Sequence, residues 1–248
     1  MTDAIQIKEL SKEYDGRRVV DRLTLSVKEG ELLALLGLNG AGKTTTVHML
    51  CGLTRPDGGD AFLMGKSIAR ETVAVKELIG VSPQESATAP NLTVYENLEL
   101  IARLHGLSRK EARERIASIE QAMSLSEVMQ TKSKKLSGGW RRRLSIAMSL
   151  VNSPRILFLD EPTLGLDVLA RRELWGLIQS LKGSVTIVLT THYLEEAEAL
   201  ADRIAILTNG RLCACGSVEE LLNATETDRL EDAFVRLAGG EVSVCGEV

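Results

Sequence analysis

The pattern of apolar and polar positions changes twice along the chain. Residues 5–36 alternate in strand fashion and end in a continuous apolar run at 32–36, which predicts a buried strand. From residue 93 to about 149 the pattern is helical, with charges gathered on one face. From residue 156 onward short apolar runs alternate with helical segments, and this alternation predicts a mostly parallel sheet.

These changes predict an α/β fold with a helical block inserted into its core. We expect a single domain over residues 1–220, in which residues 1–84 and 151–215 form the core and 85–150 the helical block. A tail at 221–248 is expected to hold one or two short helices. Strands are predicted at 60–64, 79–81, 156–159, 185–189 and 204–207, and helices at 44–50, 73–78, 170–182 and 194–201.

Composition restricts the class of protein. The chain has 248 residues, 44% of them hydrophobic, which suits one large domain with a substantial core. Its net charge of −4 argues against a broad nucleic-acid surface. No apolar run approaches the roughly 20 residues that a membrane span needs, and the N-terminus does not read as a signal peptide. Cys51, Cys213, Cys215 and Cys245 lack metal-site spacing, so we expect no zinc site and a reducing compartment such as the cytoplasm.

A glycine-rich loop follows the apolar run at 32–36. Residues 37–44 fit the pattern G-x-x-x-x-G-K-[ST], in which glycines let backbone N–H groups crowd a phosphate. The helix that follows adds its positive dipole end. Lys43 is expected to reach the β- and γ-phosphates, and the Thr44 hydroxyl to occupy one Mg²⁺ position. The predicted contacts of this loop are Gly37, Asn39, Gly40, Ala41, Gly42, Lys43, Thr44 and Thr45.

Two acidic residues stand where the apolar strand at 156–159 ends. Open α/β sheets bind ligands at the carboxyl ends of their strands. Asp160 suits the task of holding Mg²⁺, and Glu161 that of orienting or deprotonating an attacking water. His192 follows the next predicted strand and could contact the γ-phosphate and hold Glu161 or the water in place. A lone histidine after a strand is more often structural, but its position one strand beyond Glu161 favours the catalytic interpretation.

A second anion-binding turn lies nearly a hundred residues beyond the first. Ser137, Gly138 and Gly139 precede a helix predicted to begin near Trp140. The hydroxyl, the glycine N–H groups and the helix N-terminus together suit a phosphate. One chain cannot easily bring two such sites to one phosphate when they lie on separate subdomains, whereas two chains arranged head to tail can.

These residues resemble those of the nucleotide-binding subunits of ABC transporters over roughly residues 4–220. The resemblance implies a P-loop, RecA-like core, an N-terminal antiparallel β subdomain and an inserted α-helical subdomain, with ATP and Mg²⁺ as cofactors. It also implies that Gln84 senses Mg²⁺ and couples to the membrane subunit, and that Asp167 contacts nucleotide. Tyr14 matches the position at which the family stacks an aromatic ring on adenine.

One position departs from the family pattern. Where the signature after Ser137 usually has a glutamine, this chain has Trp140. Because the serine and the glycines are intact, we expect ATP to be sandwiched between two chains as in the family. The three arginines at 141–143 could touch phosphate, although pairing at the surface or between subunits is favoured.

The resemblance also implies partners and a place in the cell. Residues 90–98, 191–198 and 230–237 look like the branch that contains drug-resistance, sodium and polysaccharide exporters. We expect an ATPase that drives export through ATP-dependent dimer closure, paired with a second nucleotide-binding subunit, in the simplest case a second copy. A separately encoded transmembrane permease would hold it at the cytoplasmic face of the membrane.

Two other functions fit parts of the sequence. A soluble ABC ATPase acting on nucleic acid or ribosomes would share the motifs, but such proteins usually carry two cassettes or long coiled-coil insertions, and the acidic pI opposes nucleic-acid binding. A regulatory nucleotide-binding module with impaired hydrolysis is opposed by the intact Glu161 and His192.

Overall fold

The computed structural model describes residues 2–239, which contain two β-sheets. In chain order, the strands among these residues are β1 (Asp3–Tyr14), β2 (Arg17–Lys28), β3 (Leu32–Leu36), β4 (Gly58–Leu63), β5 (Lys66–Ser67), β6 (Ile79–Ser82), β7 (Ile156–Asp160), β8 (Thr186–Thr191), β9 (Arg203–Thr208) and β10 (Arg211–Gly216).

Helices cover the larger sheet and form most of the region between β6 and β7. They are α1 (Lys43–Leu50), α2 (Thr72–Leu78), α3 (Val94–Leu104), α4 (Arg109–Ala122), α5 (Gly138–Ser149), α6 (Val168–Leu181), α7 (Leu194–Leu200), α8 (Val218–Thr225) and α9 (Leu230–Ala238). Thr93, Ser108 and Ser217 begin α3, α4 and α8 with capping boxes, in which serine or threonine and a glutamate three residues later satisfy the first backbone N–H groups.

The smaller sheet is antiparallel, with strand order β2-β1-β4-β5. The alternation seen in the sequence buries one face of β1 and β2, including Ile5, Ile7, Leu23 and Leu25. The larger sheet has the order β10-β9-β3-β8-β7-β6 and is parallel except for the β9–β10 pair. Every residue of β3, β7 and β8 is buried, as expected for parallel strands that are covered on both faces.

Alternate residues of the central strands belong to different hydrophobic cores. Phe158 of β7 packs with Ile5 in a core between the two sheets. Its neighbours Leu157 and Leu159 pack on the opposite face with Leu98 of α3. The helical block is therefore attached to the larger sheet through a continuous core, and the antiparallel sheet covers the other face.

A third core joins the C-terminal helices to the sheet. Ala34 and Leu36 of β3 pack with Ala197 of α7, Leu221 of α8 and Leu237 of α9. The structure therefore places α9 within the predicted tail, whereas α8 begins at Val218, three residues before the predicted boundary. The remainder of the tail, with Cys245, lies outside the described residues.

The predicted fold class is confirmed, with small differences at element ends. The predicted strand at 185–189 stops short, because β8 continues through Thr190 and Thr191, whose hydroxyls are hydrogen-bonded inside the protein. Helix α6 begins two residues before the predicted start because Asp167 caps it. No helix within residues 2–239 has the length and apolar character needed to cross a membrane.

Candidate active site

The loop between β3 and α1 is packed too tightly for side chains at two of its glycines. Gly42 has a φ of 98°, and a Cβ there would lie 2.6 Å from the Val19 carbonyl oxygen. A Cβ at Gly37 would lie 2.5 Å from the carbonyl oxygen of Leu207. Glycine is therefore required for the loop to close against its neighbours and turn its backbone N–H groups toward a ligand.

Lys43 begins α1 and folds back over this loop. Its Nζ donates to the carbonyl oxygens of Gly37 at 2.8 Å and Leu38 at 3.2 Å. Burial lowers the pKa of Lys43, while the carboxylates of Glu161 and Asp160 act in the opposite direction. The ammonium group is thus held where a phosphate cradled by the loop would meet it.

Asp160 and Thr44 form an all-oxygen pair at the end of β7. Thr44 Oγ1 donates to Asp160 Oδ1 at 3.2 Å, and the Thr190 hydroxyl from β8 donates to the same oxygen. Asp160 is buried, and its carboxylate is fixed by these two hydroxyls. Carboxylate and hydroxyl oxygens are hard donors of the kind that Mg²⁺ prefers, so the residues present fit this ion.

Glu161 and His192 meet across the ends of β7 and β8. His192 Nδ1 lies 3.1 Å from Glu161 Oε1, and Glu161 is largely buried while His192 is partly exposed. The Glu161 N–H donates to the Thr190 hydroxyl at 3.0 Å, and the residue has a φ of 45°. A non-glycine residue in the left-handed region costs free energy, which the surrounding hydrogen bonds offset here.

A single cavity brings most of the predicted residues together. It has a volume of about 420 Å³ and receives the loop, the carboxylate and the histidine from three different segments of the chain. Of the predicted residues it is lined by Asn39, Gly40, Ala41, Gly42, Lys43, Thr44, Thr45, Gln84, Glu161 and His192. Asp160 contacts Thr44 through a hydrogen bond, so the residues predicted to act as base, phosphate-binding lysine and metal ligands lie in one place, while their roles stay predictions.

The second anion-binding turn lines a different cavity of the same chain. Ser137 caps α5, and its Oγ accepts a hydrogen bond from the N–H of Trp140 at 3.4 Å. Gly138 lines a cavity of about 510 Å³ with Arg141. Leu164 borders this cavity and also the one at the phosphate loop. The two turns thus do not share a cavity within one chain.

Two predicted nucleotide contacts have local roles and lie outside the cavity lining. Asp167 Oδ1 accepts from the Ala170 N–H at 2.9 Å and caps α6. Tyr14 is 45% exposed and has the Lys12 ammonium 5.2 Å from its ring centre. Their predicted contacts with nucleotide therefore stay predictions.

Arg142 and Arg143 are adjacent in the chain but lie in different surroundings. Arg142 is buried, although it borders the cavity that Gly138 and Arg141 line. Its guanidinium donates to the carbonyl oxygens of Pro83 and Gln84, both at 2.7 Å, and of Glu161 at 3.4 Å. Arg143 does pair at the surface, with Glu173, and it lies over the ring of Trp140. Surface pairing was the wrong expectation for Arg142, because a guanidinium can satisfy several buried carbonyl oxygens at once.

Two residues of the site were missed in the sequence. Thr190 has no predicted role, yet it bonds both Asp160 and the Glu161 backbone. Its pairing opposite Asp160 in the parallel register would have revealed it. No sequence signal identifies Arg142, because a run of three arginines does not show which side chain is buried.

Residues 20–164, more than half of the chain, match the family described as ABC transporter. The chain belongs to this family. A shorter, overlapping match at 133–196 is to an AAA domain described as a putative AbiEii toxin of a type IV TA system. The ABC family match begins in β2 and includes the phosphate loop, the second anion-binding turn and the Asp160–Glu161 pair.

Relatives of this ABC protein extend the match to nearly the whole chain. The daunorubicin/doxorubicin resistance ATP-binding protein DrrA of Streptomyces peucetius is 44% identical over 95% of this chain and 73% of its own length. The Nod factor export ATP-binding protein I of Ralstonia nicotianae is 42% identical over 89% of the chain and 69% of its own. Human phospholipid-transporting ATPase ABCA3 is 44% identical over 86% of the chain, which spans only 13% of that relative.

Solved structures agree with this assignment. An ATP-binding subunit of an ABC transporter superposes with a TM-score of 0.84 at 30% identity, covering 94% of this chain and 99% of that one. A dimeric ATP-binding cassette, MJ0796, in a post-hydrolysis state with ADP and Pi has a TM-score of 0.78 at 26% identity, covering 86% and 98%. The chain is an ABC ATPase, and the predicted family and ATP binding are confirmed.

Proposed function

We propose that this chain is the ATP-hydrolysing subunit of an ABC exporter and works as a dimer on a separate transmembrane permease. The proposal of ATP hydrolysis rests on one observation. Glu161 and His192 contact each other in the cavity that Lys43 and Thr44 also line. The exporter part is supported by the Nod factor export protein, which matches 89% of the chain.

The hydrolytic roles follow from the positions of the side chains. Glu161 is placed to accept the proton of a water that attacks the γ-phosphate. His192 contacts the Glu161 carboxylate and so restricts its orientation, while it lines the same cavity. Lys43 would exchange its bonds to the loop carbonyls for phosphate oxygens, and the loop N–H groups would stabilise the charge that develops there.

Mg²⁺ would be held by Thr44 and Asp160, with Gln84 at the same cavity as a further oxygen ligand. Sites of this kind take few protein oxygens and complete their coordination with phosphate oxygens and water. The ion would neutralise charge on the phosphates. Thr190 would act on it indirectly by fixing the Asp160 carboxylate.

The dimer is proposed because the two anion-binding turns open into separate cavities of one chain. In a head-to-tail pair, Ser137 and Gly138 of one copy can face the phosphate loop of the other, so that two ATP molecules hold the interface. Closure would depend on γ-phosphate contacts that hydrolysis removes, and the populations would then shift back toward the open state. The dimeric solved relative supports this arrangement.

The connection to a permease would run through Gln84 and the helical block. Arg142 of α5 binds the carbonyl oxygens of Pro83 and Gln84, and also that of Glu161. A movement of the Gln84 loop is therefore transmitted to α5 and to the catalytic segment through one buried side chain. A permease that contacts this region would place the chain at the cytoplasmic face of the membrane.

The test is purification of the tagged chain from detergent-solubilised membranes, with mass identification of co-eluting proteins and an ATPase assay on the same sample. A polytopic membrane protein in a fixed ratio, together with ATP hydrolysis, is the expected result. A ribosomal or DNA-bound complex without a membrane protein would overturn the exporter assignment. The Glu161→Gln variant serves as the inactive control, since it should retain the partner while losing hydrolysis.

A further inference from the structure

Three buried polar side-chain atoms within residues 2–239 lack a hydrogen-bond partner there, and they belong to neighbouring segments. They are Thr163 Oγ1, Arg171 Nε and Glu196 Oε2. Arg171 is close enough to Glu196 to stabilise its negative charge. Native structures leave few buried polar atoms unpaired, so such a grouping requires an explanation.

Glu196 lies at the centre of this group. It has no exposed surface, and Trp175 Nε1 of α6 donates a hydrogen bond to its Oε1 at 3.1 Å. Burial raises the pKa of Glu196, while the hydroxyls of Thr191 and Thr163 and the Trp175 indole favour the ionised form. The Thr163 hydroxyl therefore lies near the carboxyl group without completing a hydrogen bond to it.

The group connects the two segments that carry the reacting side chains. Thr163 follows Glu161 by two residues, in a turn closed by the bond from the Leu164 N–H to the Glu161 carbonyl oxygen. Glu196 follows His192 by four residues, in the first turn of α7. Trp175 and Arg171 belong to α6, which begins at the end of the same turn.

We propose that Glu196 is a positioning residue for ATP hydrolysis. Its carboxyl accepts a hydrogen bond from Trp175 of α6 and lies beside the Thr163 hydroxyl of the Glu161 segment, and a hydrogen bond formed with Thr163 would set the alignment of Glu161 with His192. The inference rests on the proposed roles of those two residues. It goes beyond them by assigning a function to a carboxyl that does not line the nucleotide cavity.

The physical reason for this role is the free-energy cost of burying polar atoms without a hydrogen-bond partner. A buried donor or acceptor without a partner costs about 1–3 kcal/mol, so a small shift of the turn that lets Thr163 donate to Glu196 Oε2 is favoured. Such a shift would move the Glu161 backbone relative to His192. Misplacement of a reacting group by about 1 Å can cost 100-fold in rate, so a contact made two residues from Glu161 can control turnover.

The test uses steady-state ATPase kinetics of the full chain carrying Glu196→Leu, Glu196→Gln or Thr163→Val. The Leu variant should lower kcat about 10-fold or more, with KM for ATP changed less than about 2-fold, because alignment and not binding is lost. The Gln variant should recover kcat to within about 3-fold of wild type, since an amide can serve both Trp175 and Thr163. Glu198→Gln, an exposed carboxylate on the same helix, is the matched control.

The double variant of Thr163 and Glu196 gives a sharper test of the proposal than the single variants do. If they act through each other, combining Thr163→Val with Glu196→Leu should lower kcat no further than Glu196→Leu alone. The proposal would be overturned by additive losses of kcat in the double variant or by an unchanged kcat in the Thr163→Val variant. A change confined to KM would overturn it as well. Thermal unfolding of each variant reports folding, and Thr163→Val carries the test if the Leu variant fails to fold. Absence of hydrolysis in wild type would instead refute the roles of Glu161 and His192.

Discussion

His192 Nδ1 lies 3.1 Å from Glu161 Oε1, although the two residues are 31 positions apart in the chain. The contact exists because β7 and β8 are parallel neighbours and end at the same edge of the sheet. Thr190 stands opposite Asp160 in this register and bonds both acidic residues. One strand pair therefore fixes Glu161, proposed as the base, together with His192 and Asp160, proposed as a Mg²⁺ ligand.

Replacement of Glu161 by glutamine should abolish turnover while leaving ATP binding intact. The amide keeps the size of the side chain but cannot accept the proton of the attacking water, so kcat should fall about 100- to 10,000-fold. Unhydrolysed ATP should hold the dimer closed, which size-exclusion chromatography with ATP would show. Glu195→Gln, on the exposed side of α7, is the control, and normal turnover in Glu161→Gln would refute the role of this residue.

Replacement of Lys43 by alanine should weaken both binding and hydrolysis. The ammonium group is buried beside the phosphate loop and is the cation that the loop itself provides for the β- and γ-phosphates. Loss of this charge-assisted contact should reduce kcat/KM at least about 100-fold. Titration with a fluorescent ATP analogue separates binding from turnover. Lys66→Ala, at an exposed ion pair, should change neither, and unchanged kinetics in Lys43→Ala would remove the phosphate loop from the mechanism.

Replacement of Arg142 by methionine should destabilise the protein and lower its ATPase activity together. Methionine keeps much of the apolar contact but leaves the carbonyl oxygens of Pro83, Gln84 and Glu161 without their donor. The free energy of unfolding should fall by about 2–4 kcal/mol, measured by urea denaturation. Arg141→Met, its exposed neighbour, should stay close to wild type in stability. Equal stability of the two variants would contradict the inward role of Arg142.

The pH dependence of the free energy of unfolding should reflect the protonation of the Glu196 carboxyl. Because burial raises its pKa above the ordinary value of 4.5, the folded protein keeps this proton to a higher pH than the unfolded chain does. As the pH rises the unfolded chain loses its proton first, so the free energy of unfolding falls. Arg171 of α6 and Arg142 of α5 oppose this shift without reversing its direction.

The measurement compares urea unfolding of wild type and Glu196→Gln at about pH 5 and about pH 8. Wild type should lose stability relative to the glutamine variant between these two values. Glu198→Gln provides the exposed comparison, for which the difference should stay constant. A wild type that gains stability relative to Glu196→Gln as the pH rises would show that the carboxyl is held ionised instead.

Replacement of Trp140 by glutamine should leave ATP-dependent dimerisation intact. Trp140 stacks on Arg143, which pairs with Glu173 of α6, and the substitution keeps the predicted phosphate contacts Ser137 and Gly138. The free energy of unfolding should fall by about 1–2 kcal/mol through loss of packing and of the cation–π contact. Light scattering of the Glu161→Gln background with and without Trp140→Gln checks this. Loss of the closed dimer would show that the indole contributes to the interface.

Much of the fold follows from local pattern. The alternation of residues 5–36 gave one exposed and one buried face, and the apolar runs at 32–36 and 156–159 became fully buried parallel strands. Their polar ends then had to face the same edge, which brought the glycine-rich loop and Asp160 together. Element ends were less predictable, as Thr190 shows, because hydroxyl groups inside a strand are satisfied only by partners distant in sequence.

The sequence by itself determined the α/β architecture, the phosphate loop and the identities of the charged residues that serve it, because these depend on periodicity and on contiguous motifs. Only the tertiary structure decided which charged residues are buried. Arg142 turns inward to bind three carbonyl oxygens, and Glu196 is enclosed between α6 and α7. A charged side chain is buried only where distant segments supply groups that pair with it. Those contacts form only in the folded chain.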